Sequence, residues 1–253
     1  MRNVAKPAEF DGIAFDPMTS EAPADIREAL TWCAWILDDN GHESGLAGQI
    51  SARGEAAETY WTLPLGVGLA EATPDAMVLV DGNLKTLSGS GNANPATRFH
   101  LWIYRARPDV QSIVHTHPPY ASVLAAAAQP LVIGHMDSAM LFDDCAFLPE
   151  WPGVPLADRE GEIISEALGS KSAIMLSHHG MLTVGRTVQE AAVLAVTVER
   201  SARIQVRAAA LGGVKPIPGE DARKARDFLR TETIIDSTFS LWARQARARK
   251  LPS

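Results

Sequence analysis

The 253-residue chain has only two cysteines, Cys33 and Cys145, too few for a disulfide framework and without the close spacing of a zinc or redox motif. That scarcity fits a reducing, cytoplasmic compartment. Long apolar runs are absent as well. The most apolar stretch, "ASVLAAAAQPLVIG", is broken by Gln129 and Pro130 well short of a membrane span, and the opening "MRNVAKPAEFDGIAF" lacks the apolar centre of a signal peptide. Positive charge is in deficit, 23 Lys and Arg against 30 Asp and Glu, which argues against a nucleic-acid or anionic-membrane surface. No repeat and no Gly/Ser/Pro linker divides the chain, so residues 1–253 read as one domain, with 1–20 and 246–253 loosely tied. What is present is 46% hydrophobic residues, enough for a full core. The expected partners are small molecules or other protein chains.

Periodicity sorts the elements. Ile26, Leu30, Cys33 and Leu37 form one apolar helical stripe, with Gly41 as a stop. "DAMVLVDG" reads as a short buried strand. A helix is expected after Pro95 and before Pro108, leading into "SIVHTHPP", a strand that ends at His117. "REGEIISEALGS" is a helix with Gly169 beyond its end, and "SAIMLSHHGMLTVG" is one strand or a hairpin through Gly180. Thr187 and Glu190 have the spacing of a capping box opening the helix "VQEAAVLAVTVERSARIQVRAAALGG". Several strand-to-strand steps lack a helix between them, which predicts a mixed, largely antiparallel sheet flanked by helices.

The chain has 7 histidines, and four lie in "IVHTHPPY" and "LSHHG". His115 and His117, two apart on a strand, leave the same face and can converge on one point. Such a pair alone is as readily two ordinary polar side chains as two metal ligands. The second pair, His178 and His179, just before a glycine that turns the chain, shifts the balance to a metal site needing a third imidazole.

"FHLWIYRARPDVQSIVHTHPPYASVLAA", "DREGEIISEALG" and "IMLSHHGMLTVGRTVQEAA" resemble, in that order and spacing, the class II aldolase and adducin-head family. The resemblance covers roughly residues 25 to 215. It implies a three-layer α/β/α fold, a divalent metal (Zn, Mn or Fe) held by His115, His117 and His179, with His178 a neighbour, and a homotetramer with sites at subunit interfaces that Trp242 and the tail help to close. Three imidazoles leave positions open for a substrate's carbonyl and adjacent hydroxyl.

The sequence also departs from the family's sugar-phosphate aldolases. Where they carry a catalytic Glu, four residues before His100, this chain has Ala96, and "GNANPATRFH" holds no carboxylate. The loop "AGQISAR" has Gln49 in place of Asn, "PLG" has Leu65 in place of Ser, and Asn94 and Pro95 replace two serines. Short donors that hold a phosphate are lost, so an unphosphorylated substrate is expected. Gln49, Ser51, Arg53 and Asn94 are candidate substrate contacts, with satisfaction of backbone and carboxylates the competing role for Gln49, Ser51 and Arg53. Some family members decarboxylate hydroxypyridine dicarboxylates with the same metal. A decarboxylase of a hydroxy- or oxo-aromatic acid is therefore favoured, with Arg98 orienting a carboxylate and Tyr120, His178 or a metal-bound water donating a proton. The alternatives are an aldolase for an unphosphorylated aldehyde and keto acid, and a non-catalytic adducin-like scaffold. His135, Asp137, Asp143 and Asp144 are expected on solvated turns, and Trp32, Trp35 and Trp102 in the core or an interface.

Overall fold

The structure, a computed structural model, describes residues 21–151, 153 and 158–250. The predicted stripe forms α1 (Ile26–Asp39), whose N-terminus is capped by Asp25 accepting the N–H groups of Arg27 and Glu28. Eight strands follow: β1 (Gln49–Arg53), β2 (Thr59–Thr62), β3 (Val78–Asp81), β4 (Thr86–Ser88), β5 (Ser112–Thr116), β6 (Cys145–Leu148), β7 (Ala173–Leu176) and β8 (Gly180–Gly185). They form one sheet in the order β4-β3-β2-β1-β5-β8-β7-β6, antiparallel at every step except β6–β7. The other helices are α2 (Arg98–Ala106), α3 (Pro119–Ala126), α4 (Asp158–Leu168), α5 (Val188–Ala208), α6 (Gly219–Leu229) and α7 (Glu232–Lys250).

The pleat divides the core in two. Val114, Met175 and Met181 turn to the layer of α1, α5 and α7, while Ile113, Ile174 and Leu182 face α2 and α4. This is the expected three-layer arrangement, an α/β fold with a mixed sheet at its centre.

Local differences have simple causes. Residues Pro95–Thr97 form a 3₁₀ turn before α2, because proline at its start has no N–H to give. Pro118 and Pro119 likewise cannot extend the ladder, so β5 ends at Thr116 and His117 lies one residue beyond it. Of the two readings of "SAIMLSHHGMLTVG", the hairpin is found: Leu176 pairs with Gly180 across a three-residue loop with His178 left-handed at φ 58°. Thr187 caps α5 through the N–H of Glu190, but the Glu190 carboxylate accepts from Arg186 N rather than Thr187, so only half a capping box forms. Residues 246–250, expected to be loose, continue α7: Ala246 is buried, Arg247 stacks over Trp32 at 5.3 Å, and Lys250 donates to Asp38 at 2.6 Å. Residues 1–20 lie outside the described part. No described helix is long and apolar enough to cross a membrane.

Candidate metal centre

β5 runs through the middle of the sheet between β1 and β8. Its odd positions face α2 and α4, so period-2 alternation carries His115 to the same side as Ile113. His115 is almost wholly buried, and its Nδ1 lies 2.8 Å from the carbonyl of Met181 on β8. A carbonyl only accepts, so Nδ1 carries the hydrogen and Nε2 is left with a free lone pair. The Nε2 of His117 lies 3.0 Å from that atom. The hairpin brings in His179, whose ring centroid is 4.8 Å from each of the other two. One nitrogen from each residue falls within 4.8 Å of the others.

These donors fit a divalent cation. Two ring nitrogens 3.0 Å apart bring lone pairs together unless a proton or a cation lies between them. Burial holds all three imidazoles below the usual histidine range, His179 at about 4, and their mutual proximity lowers His115 and His179 further. At neutral pH they are uncharged, the form that binds metal. Phe99 of α2 packs its ring edge-on against His115 at 4.9 Å and closes the buried side.

Glycine at 180 is required by this approach. A Cβ there would stand 2.5 Å from His117 Cδ2 and 2.7 Å from the carbonyl oxygen of Thr116. Below the cluster, His42 and Thr116 share a buried hydrogen bond of 2.8 Å between Nδ1 and Oγ1.

The other expected site residues divide. Gln49 is the direct cross-strand partner of His115, so the two side chains leave the sheet on one face. Its Nε2 donates to Leu46 O at 3.2 Å, and its Oε1 is buried without a partner. Gln49 and Asn94 line a small crevice with Leu46, Gly48, Leu63, Pro64, Leu65, Gly66 and Val67, which brings these two expected contacts together. Asn94 also braces it, donating to Leu46 O at 2.8 Å.

Ser51 and Arg53 lie further along the same face of β1 and are committed elsewhere. Ser51 is fully buried, its hydroxyl 2.8 Å from His100 Nδ1 and 2.9 Å from Tyr104 OH. Arg53 donates to the carbonyls of Tyr104, Arg107 and Val110, capping the C-terminal end of α2. Both take the backbone-and-core role that competed with substrate contact.

Among the described residues, no hydrogen bond, ion pair or ring contact joins Arg98, Tyr120 or His178 to the three imidazoles. Arg98 pairs with Asp158 at 3.0 Å on the surface, and Tyr120 OH accepts from Arg207 at 3.2 Å. His178 is exposed on the hairpin, its N–H donating to Ala125 O at 3.0 Å. Asp143 and Asp144 pair with Arg223 and Arg230. Asp137 opens a 3₁₀ turn, and half-buried His135 leaves its Nε2 without a partner. Trp242 lies on α7 under Arg200, in the layer opposite the histidines.

Sequence reasoning missed Glu160. It is 2% exposed, neither carboxylate oxygen has a hydrogen-bond partner, and Oε1 lies 3.8 Å from His179 Nδ1. Burial pushes its carboxyl up to about 7. The signal was available. Glu160, Ile164 and Leu168 occupy the buried stripe of α4 at four-residue spacing, so a carboxylate sits where an apolar side chain belongs. The bonding of His100 was not legible either, because nothing in "TRFHLW" marks a histidine that bonds to a serine on a distant strand.

Fold and cluster together define a candidate divalent-metal site of three imidazoles beside the central strand β5 of a three-layer α/β fold. Residues 28–206 match the class II aldolase and adducin N-terminal domain, and the chain belongs to that family. It is 37% identical over 184 residues to 4-hydroxy-3-prenylphenylpyruvate oxygenase/4-hydroxy-3-prenylbenzoate synthase of Streptomyces roseochromogenus subsp. oscitans, covering 72% of this chain and 66% of that protein. With decarboxylase NovR of Streptomyces niveus it shares 36% identity over 72% of this chain and 68% of that one. The match therefore spans about two thirds of each relative's length. Among solved structures, L-fuculose 1-phosphate aldolase from Glaciozyma antarctica PI12 superposes with a TM-score of 0.82 at 26% identity, over 91% of this chain and 95% of that one. The homologues thus include both decarboxylases and aldolases.

Proposed function

We propose that the chain is a divalent-metal-dependent carbon–carbon lyase, and specifically a decarboxylase of an unphosphorylated hydroxy- or oxo-aromatic carboxylic acid. The observation that carries the reading is the convergence of three imidazoles on one point, in a chain with Ala96 where the family's sugar-phosphate aldolases carry a glutamate. The name of the second Streptomyces relative, a decarboxylase, supports the same reaction, and that of the first, a prenylphenylpyruvate oxygenase/prenylbenzoate synthase, supports an aromatic acid as substrate.

Held by His115, His117 and His179, a divalent ion would supply Lewis acidity toward a substrate oxygen and stabilise the negative charge left when the carbon–carbon bond breaks. The chain's own groups do the rest. Gln49 Oε1, buried and unpartnered, accepts a hydrogen bond from a substrate hydroxyl, and Asn94 holds the crevice in shape. Phe99 keeps water from the inner side of His115. His178, exposed on the same turn as His179, is the candidate proton donor for the product. Loss of carbon dioxide needs no base to remove a hydroxyl proton, which is consistent with Ala96 in place of a glutamate.

We further propose a cytoplasmic homotetramer with its sites at subunit interfaces. Two cysteines, both free, support a reducing compartment. The second reading is an aldolase for an unphosphorylated aldehyde and keto acid, favoured by the superposition on a fuculose-phosphate aldolase. The test is elemental analysis of the purified protein followed by carbon dioxide release from a panel of hydroxy-aromatic and oxo acids. About one metal per chain with carbon dioxide released supports the decarboxylase. Metal without carbon dioxide points to aldol cleavage, and a metal-free protein that binds none on titration points to a scaffold.

A further inference from the structure

We propose that Glu160 is the positioning residue of the metal centre: its carboxylate takes the Nδ1–H of His179 and fixes that ring with Nε2 toward His115 and His117. The inference rests on the three-imidazole reading above and adds to it a residue that no part of that reading contains.

Three observations carry it. First, Glu160 is buried with both oxygens unpartnered, in a chain whose other most buried carboxylates are satisfied: Glu190 accepts from Arg230 and Arg186, and Glu199 accepts from the N–H groups of Tyr120 and Ala121. A buried carboxylate without donors is unfavourable unless something nearby compensates it. Second, the polar atom facing it is also an orphan. His179 Nδ1 is buried and unpartnered, 3.8 Å from Glu160 Oε1. One ring nitrogen directed at Glu160 leaves the other, Nε2, for the ion. An imidazole that binds a cation through one nitrogen typically donates its other N–H to an oxygen, which sets tautomer and ring orientation. His115 already has this arrangement through Met181 O. Third, Glu160 is held in place from behind. Gly161 receives the indole of Trp102 so closely that a Cβ there would stand 2.2 Å from Trp102 Cδ1, which locks the first turn of α4 against α2.

The separation of 3.8 Å is just beyond hydrogen-bond length. A small rotation of either side chain closes it, and cation binding at Nε2 strengthens Nδ1–H as a donor.

The experiment compares wild-type protein with Glu160→Gln, a variant of the same size. Metal affinity is measured at fixed pH by competition with a chelator, using Zn²⁺, and the visible spectrum is recorded for each protein loaded with Co²⁺. The expected result is a roughly 10- to 100-fold weaker affinity and an altered cobalt spectrum, with Glu190→Gln behaving as wild type in both. An affinity within threefold of wild type and an unchanged cobalt spectrum overturn the proposal while leaving the metal site intact. Wild-type protein that takes up no metal overturns the three-imidazole reading and this proposal together. A second measurement needs no variant: nitrogen NMR of the zinc-loaded wild-type imidazoles should place the hydrogen of His179 on Nδ1, and a hydrogen on Nε2 would refute the assignment.

Discussion

Gly180→Ala tests how tightly the hairpin packs against the metal ligands. The added methyl would stand 2.5 Å from His117 Cδ2 and 2.7 Å from Thr116 O, whereas ordinary contact begins at 3.4 Å. Relief demands a movement of about 0.9 Å by the imidazole or about 0.7 Å between β5 and β8, and the backbone oxygen is the harder of the two to displace. Metal–ligand distances tolerate about 0.2 Å, so either movement exceeds what the cluster can absorb. Overpacking of this kind costs roughly 1–3 kcal/mol in stability. The expected outcome is a loss of about that size in urea unfolding of the metal-free protein and at least a tenfold loss of Zn²⁺ affinity by calorimetric titration. Gly185→Ala is the control. It places a Cβ 2.6 Å from Ala191 N and Thr187 O at the other end of β8, so it should destabilise similarly and leave affinity unchanged. Near wild-type affinity in Gly180→Ala, or equal losses in both variants, would refute the reasoning.

Metal at 100 times its dissociation constant should stabilise the wild-type fold by about 2.7 kcal/mol, a rise of roughly 5–10 °C in melting temperature. His115→Ala, His117→Ala and His179→Ala should each abolish that rise along with activity; a variant that keeps a stoichiometric metal removes its residue from the ligand set. Acid should unfold the protein through His42 and His100, which burial holds at about 3 against an ordinary 6.5. The folded state then binds fewer protons than the unfolded one, so stability is full above about pH 6.5 and falls as pH drops toward 3. Each histidine removes about 2 kcal/mol at pH 5, and a urea midpoint equal at pH 7.5 and pH 5 would contradict this. Arg53→Met should lower stability by about 2–3 kcal/mol, since two carbonyls of the α2 terminus and that of Val110 beyond it lose a charged donor, without changing substrate KM. Gln49→Leu should do the reverse, raising KM severalfold at near-constant stability, as steady-state kinetics and a melting curve would reveal.

The parts of the molecule legible in the sequence are those written in local periods. A spacing of two placed His115 and His117 on one face, the stripe Ile26–Leu30–Cys33–Leu37 gave α1, and a glycine after two histidines marked the turn that delivers His179. What stayed hidden depends on register between distant strands and helices. "QISAR" offers Gln49, Ser51 and Arg53 in identical alternation, yet the β1–β5 pairing sets Gln49 opposite His115, leaves Ser51 under His100, and carries Arg53 to the far end of α2. One strand thus spends its three polar side chains on a crevice, a core hydrogen bond and a helix terminus. No local pattern separates these roles, because each is decided by what packs against that position. Glu160 differs in kind. Its place in a stripe with Ile164 and Leu168 contradicts the burial rule within a single helix, and such a contradiction is readable before any fold is known. A charged residue at a core position of an otherwise regular helix thus carries more functional information than a charged residue in a loop. The loop acid has water as a partner, whereas the core acid must be matched by something the rest of the chain supplies, and here the group facing it is His179, one of the three converging imidazoles.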